Sequence, residues 1–165
     1  MRLLLTGSSG LLGRFLAPRL RRDGHEVTGL DVAPGADTDI VGSVTDRPLV
    51  ERVFGERGVE AVIHAGALHK PDIARYPAQA FVDVNVAGTL NLLEAASAAG
   101  NDRFIFTSTT SLMISEAIRA GKAGGAARAA WLTEEYGPLE PRNIYGVTKL
   151  AAEHLCRLHH REHGL

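Results

Sequence analysis

The stretch that decides the fold is TGSSGLLG, at residues 6–13. The segment that leads into it, Arg2–Thr6, is a short apolar run that predicts a buried β-strand. The segment Leu11–Arg22 overlaps the end of TGSSGLLG and has the apolar spacing of an α-helix. A strand that enters a helix through a glycine-rich turn is typical of the first unit of a dinucleotide-binding βαβ fold.

The glycines of this turn stand three residues apart, at Gly7, Gly10 and Gly13. Gly7 would allow the tight turn, Gly10 the close approach of a ligand, and Gly13 the close packing of the helix on the strand. Unpaired N–H groups at the start of the helix, together with the helix dipole, favour a pyrophosphate. The turn therefore predicts a dinucleotide site, and the alternative is a turn whose glycines serve backbone geometry alone.

Apolar strand-like segments alternate with helical ones along the chain. The strand candidates are Arg2–Thr6, Glu26–Asp31, Asp39–Val44, Val59–His64 and Arg103–Ser108, and the helix candidates are Leu11–Arg22, Asp46–Arg57, Ala78–Ala99 and Asn143–His163 with Gly164 as its cap. This order predicts an α/β fold with a doubly wound, Rossmann-like parallel sheet of strand order 3-2-1-4-5. Residues 1–165 are expected to form one domain, without internal repeats.

Two local features disturb this pattern. Pro18 lies inside the first helix, where its missing N–H group is expected to kink or shorten the helix. The segment Ser115–Ala130 contains ten Ala or Gly residues among sixteen, so its alanines favour a helix that its glycines interrupt. We interpret it as an insertion that is either a lid or a disordered segment.

Composition excludes several classes of protein. The 165 residues carry a formal net charge of -1, which argues against nucleic acid or an anionic membrane as the main partner. Cys156 is the only cysteine, so an internal disulfide is impossible and a reducing compartment is expected. No apolar stretch approaches the roughly 18 residues that a membrane span needs. A cytoplasmic location is the resulting expectation.

Asp31 closes the second predicted strand, eighteen residues after Gly13. A dinucleotide fold places the carboxylate that binds a ribose at about this position. Such a carboxylate accepts hydrogen bonds from the ribose hydroxyls and repels a 2′-phosphate, and Val32 follows where an arginine would suit NADP. The pair favours NAD as the cofactor, and the alternative for Asp31 is an exposed carboxylate at a strand end.

Tyr145 and Lys149 form a Tyr-x-x-x-Lys pattern in the last predicted helix. This spacing puts both side chains on one face of a helix. A tyrosine with an ordinary pKa of about 10 is a poor base at neutral pH, but a neighbouring ammonium group stabilises its phenolate. The pattern is weak alone and becomes informative after a glycine turn, an acidic strand end and a hydroxyl-rich strand end.

At this point the chain resembles the extended short-chain dehydrogenase/reductase family, in its NAD-dependent epimerase/dehydratase branch. The resemblance covers nearly all of the sequence. Its motifs are TGxxGxxG at 6–13, the segment HAGA at 64–67, NVAGT at 85–89, the hydroxyl-rich FIFTSTTS at 104–111, and the pair Tyr145 and Lys149.

The resemblance implies a catalytic set of three residues. Tyr145 would be the acid–base group, Lys149 would hold the nicotinamide ribose and stabilise the phenolate, and Thr109 would hydrogen-bond the reacting oxygen. The implied chemistry is the oxidation of a sugar hydroxyl, in which Tyr145 takes the proton and the nicotinamide takes the hydride. Together with the glycine turn, the resemblance assigns cofactor binding to Gly7, Ser9, Gly10, Leu11, Leu12, Gly13, Asp31, Ser43, Val44, Ala65, Gly66, Ala67, Asn85, Tyr145 and Lys149.

The resemblance implies an NAD-dependent epimerase, dehydratase or dehydrogenase that acts on a small sugar, most simply a nucleotide sugar. A homodimer is compatible with it. The family recognises its substrate through a C-terminal lobe, and we expect the chain to stop before the sixth strand and that lobe. The competing hypothesis is a non-catalytic dinucleotide sensor on the same fold, which would not need Thr109, Tyr145 and Lys149.

Three departures from the family pattern concern the site. Ser43 stands where the family usually carries an adenine-binding aspartate, and Leu112-Met113-Ile114 replaces a common Val-Tyr-Gly. The insertion over Ser115–Ala130 lengthens the segment between Thr109 and Tyr145. No metal site is expected, because no carboxylate–histidine triad accompanies the histidines of the last helix, which are interpreted as a solvated helix end. They are His154, His159, His160 and His163.

Overall fold

The computed structural model describes residues 1–114, 116, 133–135 and 137–165. The predicted insertion over Ser115–Ala130 lies outside the described residues except for Glu116. Neither interpretation of the insertion is therefore tested.

In the part of the chain that the structure describes, five parallel strands form one sheet in the order β3-β2-β1-β4-β5, as the sequence predicts. The strands are β1 (Arg2–Thr6), β2 (Glu26–Asp31), β3 (Ile40–Val41), β4 (Ala61–His64) and β5 (Phe104–Phe106). The central strands match their predicted positions closely, whereas β3 and β5 are shorter than predicted. Both lie at an edge of the sheet, where a strand has only one neighbour to pair with.

Helices connect these strands and cover both faces of the sheet. They are α1 (Leu11–Arg22), α2 (Arg47–Arg57), α3 (Ala78–Phe81), a π-helical segment (Val82–Ala87), α4 (Gly88–Ala98) and α5 (Ile144–His163), with short 3-10 helices at Lys70–Ala74 and Thr110–Leu112. The alternation of β1 divides the core: Leu3 and Leu5 pack towards α1, and Leu4 packs towards α2 and α4. The sheet is therefore a two-sided, Rossmann-like sheet, as predicted.

Capping residues mark the start of α2 and both ends of α5. Asp46 accepts a hydrogen bond from the Leu49 N–H group (3.1 Å) at the start of α2, and Asn143 accepts one from Gly146 (2.9 Å) at the start of α5. Gly164 adopts a φ of 74° and ends α5, which confirms the predicted cap.

Two expectations for helices are corrected. Pro18 does not shorten α1, which continues to Arg22, whereas a kink at Pro18 stays a prediction. Pro18 lies on the exposed side, where water can serve the carbonyl that loses its donor. The single helix predicted over Ala78–Ala99 contains the π-helical segment, where the hydroxyl of Thr89 donates to the carbonyl of Asn85 (2.7 Å). Short π-helical segments inside α-helices often occur at functional sites.

Candidate functional site

The glycine turn between β1 and α1 brings three pieces of backbone into direct contact. Gly7 has a φ of 74°, and a Cβ atom there would lie 2.7 Å from the nitrogen of Gly66. A Cβ atom on Gly13 would lie 2.2 Å from the carbonyl oxygen of Gly7. Because backbone atoms stand on the other side of both contacts, no side chain can be accommodated at these positions.

The N-terminus of α1 opens onto this turn. Gly10 is the N-cap residue in an extended conformation, and no side chain among the described residues caps it. The first N–H groups of the helix, from Leu11, Leu12 and Gly13, therefore retain their capacity to bind an anion. The side chain of Leu11 is 72% exposed, so Leu11 offers the site its backbone. This arrangement fits a pyrophosphate.

Asp31 stands at the carboxyl end of β2, beside the turn. One carboxylate oxygen accepts the N–H of Ser9 (3.0 Å) and the other accepts the N–H of Ala33 (2.9 Å). A carboxylate has about four acceptor positions, so two remain for hydroxyl groups. The neighbouring Val32 is 71% exposed and brings no positive charge.

Ser43 and Val44 follow β3 and reach different environments. The Ser43 hydroxyl accepts the N–H of Thr45 (3.1 Å) and closes a short turn. Val44 is buried, and a Cβ atom on Gly88 would lie 2.5 Å from it. The turn explains why β3 ends before Ser43, whereas the sequence predicts that the strand continues to Val44.

Asn85 connects the loop after β4 to α5. Its amide oxygen accepts the N–H of Leu68 (2.8 Å), and its amide nitrogen donates to the Leu68 carbonyl (3.0 Å) and to the Thr148 hydroxyl (3.1 Å). Both amide hydrogens thus have protein partners, and Asn85 holds Leu68, which directly follows the segment Ala65–Ala67. Direct contact of Asn85 with a cofactor stays a prediction.

Tyr145 and Lys149 lie in the first two turns of α5, and both are buried, at 6% and 3% exposure. The Lys149 ammonium group stands 3.9 Å from the centre of the Phe106 ring at the end of β5, a cation–π contact. Burial lowers the pKa of Lys149 from 10.5 to about 8, against smaller opposing effects of Cys156 and Glu153. Lys149 therefore carries its proton at neutral pH.

Thr109 begins the 3-10 helix over Thr110–Leu112, and its hydroxyl accepts the N–H of Ser111 (3.2 Å). It also lines a cavity of about 430 Å³ together with Ser108 and Glu153, which are hydrogen-bonded to each other at 2.5 Å. None of the contacts described joins Thr109 directly to Tyr145. The 3-10 helix does pack against α5, so the structure brings the two residues to neighbouring elements.

The sequence did not predict several polar contacts around the site, although His64 and His69 are interpreted from it as cofactor-loop or core residues. Thr6 and Thr89 bond the two ring nitrogens of His64, at 2.6 and 3.0 Å. The ring centre of His69 lies 5.7 Å from that of Tyr145, and the two rings are tilted by 34°. Polar residues at the ends of the neighbouring strands β1 and β4 could have indicated the first contact, because such ends meet at one edge of a parallel sheet.

The histidines at the end of α5 do not all lie in solvent, in contrast to the prediction. His159 is 6% exposed, and its Nδ1 atom lies 3.1 Å from the Ser97 hydroxyl of α4. His154, His160 and His163 are exposed. Within the described ranges, no group of three His, Cys, Asp or Glu residues is arranged to hold a metal ion.

No helix in the part of the chain that the structure describes has the length and apolar character to cross a membrane.

The sequence model of the NAD dependent epimerase/dehydratase family matches residues 3–165. The chain is 31% identical to an L-arabinose 1-dehydrogenase (NAD(P)(+)) of Haloferax volcanii, over 99% of this chain and 63% of that protein. It is 32% identical to a dTDP-glucose 4,6-dehydratase of Streptomyces niveus, over 100% of this chain and 51% of that protein.

A solved structure is also similar to this chain. The crystal structure of a Thermus thermophilus UDP-glucose 4-epimerase in complex with NAD matches with a TM-score of 0.82 and 28% identity, over 100% of this chain and 52% of that one. The chain thus spans about half to two thirds of the length of the proteins that it matches.

Proposed function

Because this chain belongs to the NAD dependent epimerase/dehydratase family, we propose that residues 1–165 form the NAD-binding domain of an enzyme that oxidises a sugar hydroxyl. The observation that carries the proposal is the buried Lys149 ammonium group, held over Phe106 one helical turn after Tyr145. A dinucleotide sensor would have no need of a buried cation beside a buried tyrosine, since burying a charge costs stability.

The residues of the glycine turn fit the cofactor that we propose. The helix N-terminus beyond Gly10 would bind the pyrophosphate, and Gly7 and Gly13 leave no side chain in its way. The two free acceptor positions of Asp31 would bind the adenosine ribose. We further propose that Ser43 and Val44 lie beside the adenine and that Ala65–Ala67 lies along the dinucleotide.

The chain's own residues would move and hold the proton. When bound, NAD supplies an acceptor for the hydride that leaves the carbon atom. The positive charge of Lys149 would stabilise the phenolate of Tyr145, which would take the proton of the sugar hydroxyl. Thr109 would donate a hydrogen bond to the reacting oxygen while its own oxygen accepts the N–H of Ser111.

The substrate class is proposed from the relatives. One matched protein is named for a free pentose and two for nucleotide-linked hexoses, so the shared chemistry is the oxidation of a sugar hydroxyl. We propose a nucleotide sugar as the first candidate and a free sugar as the second.

The test is an assay of the complete protein with NAD and a panel of UDP-sugars, dTDP-sugars and free aldoses. NMR of the sugar and absorbance of NADH separate the outcomes: net NADH indicates a dehydrogenase, and a changed sugar without net NADH indicates an epimerase or dehydratase. NAD binding without turnover of any member would favour the sensor and contradict the proposed enzyme.

Cofactor selectivity gives a further prediction. We expect the protein to bind NAD at least about tenfold more tightly than NADP, because Asp31 repels a 2′-phosphate and Val32 offers no cation. Replacing Asp31 by Ser should reduce this preference. Isothermal titration with both cofactors measures it, and equal or tighter binding of NADP by the unchanged protein would remove Asp31 from its assigned role.

A further inference from the structure

A buried chain of hydrogen bonds joins the ends of β1 and β4 to the helix behind them. Thr6 and His64 are register partners in the sheet, and Thr6 Oγ1 lies 2.6 Å from His64 Nδ1. On the other side of the ring, Nε2 lies 3.0 Å from Thr89 Oγ1. All three side chains are at most 1% exposed, so each must find its partners inside the protein.

The ends of this chain decide the direction of every hydrogen bond in it. Thr89 donates its only hydroxyl proton to the carbonyl of Asn85 (2.7 Å), so it must accept from His64, and Nε2 carries the ring proton. In the neutral ring, His64 Nδ1 is then an acceptor and receives a hydrogen bond from the Thr6 hydroxyl. Thr6 Oγ1 in turn accepts the N–H of Gly66 (3.1 Å). Of the two neutral tautomers, the arrangement admits only the one with the proton on Nε2.

We propose that His64, in this tautomer, is a positioning residue that holds the cofactor site together without touching a ligand. Through Thr6 it fixes Gly66, against whose nitrogen Gly7 rests so closely that a Cβ atom would lie 2.7 Å away. Through Thr89 it reaches the carbonyl of Asn85 in the π-helical segment. The proposal rests on the proposed function, because it assigns His64 to the NAD site described above.

The Thr89 end of this chain of hydrogen bonds leads towards α5, which carries Tyr145 and Lys149. The side chain of Asn85 donates to the hydroxyl of Thr148, which stands next to Lys149 in α5. Burial and the nearby charge of Lys149 lower the pKa of His64 to about 3, in agreement with a neutral ring. Lys149 and Tyr145 therefore stand on a helix that is tied to the same hydrogen-bonded chain as the glycine turn.

The tautomer can be tested without any ligand. In a long-range nitrogen–proton NMR spectrum of the complete protein, His64 is expected to show an unprotonated Nδ1 and a protonated Nε2 at neutral pH. The exposed His154 serves as the internal reference for a ring without fixed partners. An imidazolium or an Nδ1–H ring at His64 would overturn the proposal.

Three substitutions separate the two ends of the chain. His64→Asn places an amide near the position of Nδ1 and can still accept from Thr6, His64→Gln reaches the position of Nε2 and can still donate to Thr89, and His64→Leu does neither. We expect the Kd for NAD to rise about tenfold in the Leu and Gln variants. In the Asn variant it should stay within about threefold, because Thr6 still orients Gly66.

Thermal unfolding and calorimetric titration of each variant distinguish positioning from stability. Thr28 lies in β2 and takes no part in this chain of hydrogen bonds. The control variant Thr28→Val should therefore leave the Kd for NAD unchanged. Lower melting temperatures with an unchanged Kd in the folded Leu and Gln variants would contradict the proposal and leave His64 a purely structural residue. If the unchanged protein fails to bind NAD, the proposed function fails, and the NMR result still decides the tautomer.

Discussion

Tyr145→Phe is expected to lower kcat of the complete enzyme by about a thousandfold, within the range that general acid–base catalysis contributes. The phenol ring is buried in α5, and phenylalanine keeps its packing while it removes the hydroxyl that would take the substrate proton. Binding of NAD depends in our proposal on the glycine turn and Asp31, so the Kd for NAD should change by less than about twofold. Steady-state kinetics and calorimetry with the same preparation measure both quantities.

Two further variants sharpen this experiment. Tyr76→Phe is the matched control, because Tyr76 is 46% exposed and stands outside the proposed site; it should leave kcat unchanged. Lys149→Ala should reduce both kcat and NAD affinity, since Lys149 is proposed to stabilise the phenolate and to hold the ribose. Retention of more than about a tenth of the activity by Tyr145→Phe would show that another group acts as the acid or base.

The fold could be predicted from the sequence to the extent that local patterns determine it. The bounds of β1, α1 and β2 coincide with those predicted, because an apolar run, a glycine turn and a helical period follow one another without ambiguity. The edge strands were predicted too long, since where they end depends on pairing with one neighbour only. The π-helical segment over Val82–Ala87 was missed because one inserted residue hardly changes the apolar period.

The candidate site was predicted less completely than the fold. The spacing of Tyr145 and Lys149 indicated a shared helix face, and the structure places both in the buried first turns of α5. The ring of Phe106 beneath the ammonium group could not be inferred, because it comes from a strand about forty residues earlier in the chain. The partners of His64 depend in the same way on pairing between β1 and β4.

Gly13→Ala is expected to destabilise the protein by at least about 2 kcal/mol, as overpacking of a rigid contact does. The added Cβ atom would lie 2.2 Å from the Gly7 carbonyl oxygen and 2.6 Å from Ser8 Cα. Neither is the end of a flexible side chain, so only a shift of α1 away from β1 can relieve the contact. That shift moves the N–H groups that would bind the pyrophosphate, and NAD affinity should fall about a hundredfold if two such hydrogen bonds are lost.

Gly55→Ala provides the matched control, because Gly55 lies in the exposed interior of α2 with nothing within 4 Å of its added Cβ atom. There alanine should stabilise the protein by about 0.5–1 kcal/mol, since a helical glycine loses more backbone entropy on folding. Chemical denaturation and NAD titration of both variants measure the contrast. If Gly13→Ala behaved like Gly55→Ala in both measurements, the close contact between α1 and the turn would not be what organises the cofactor site.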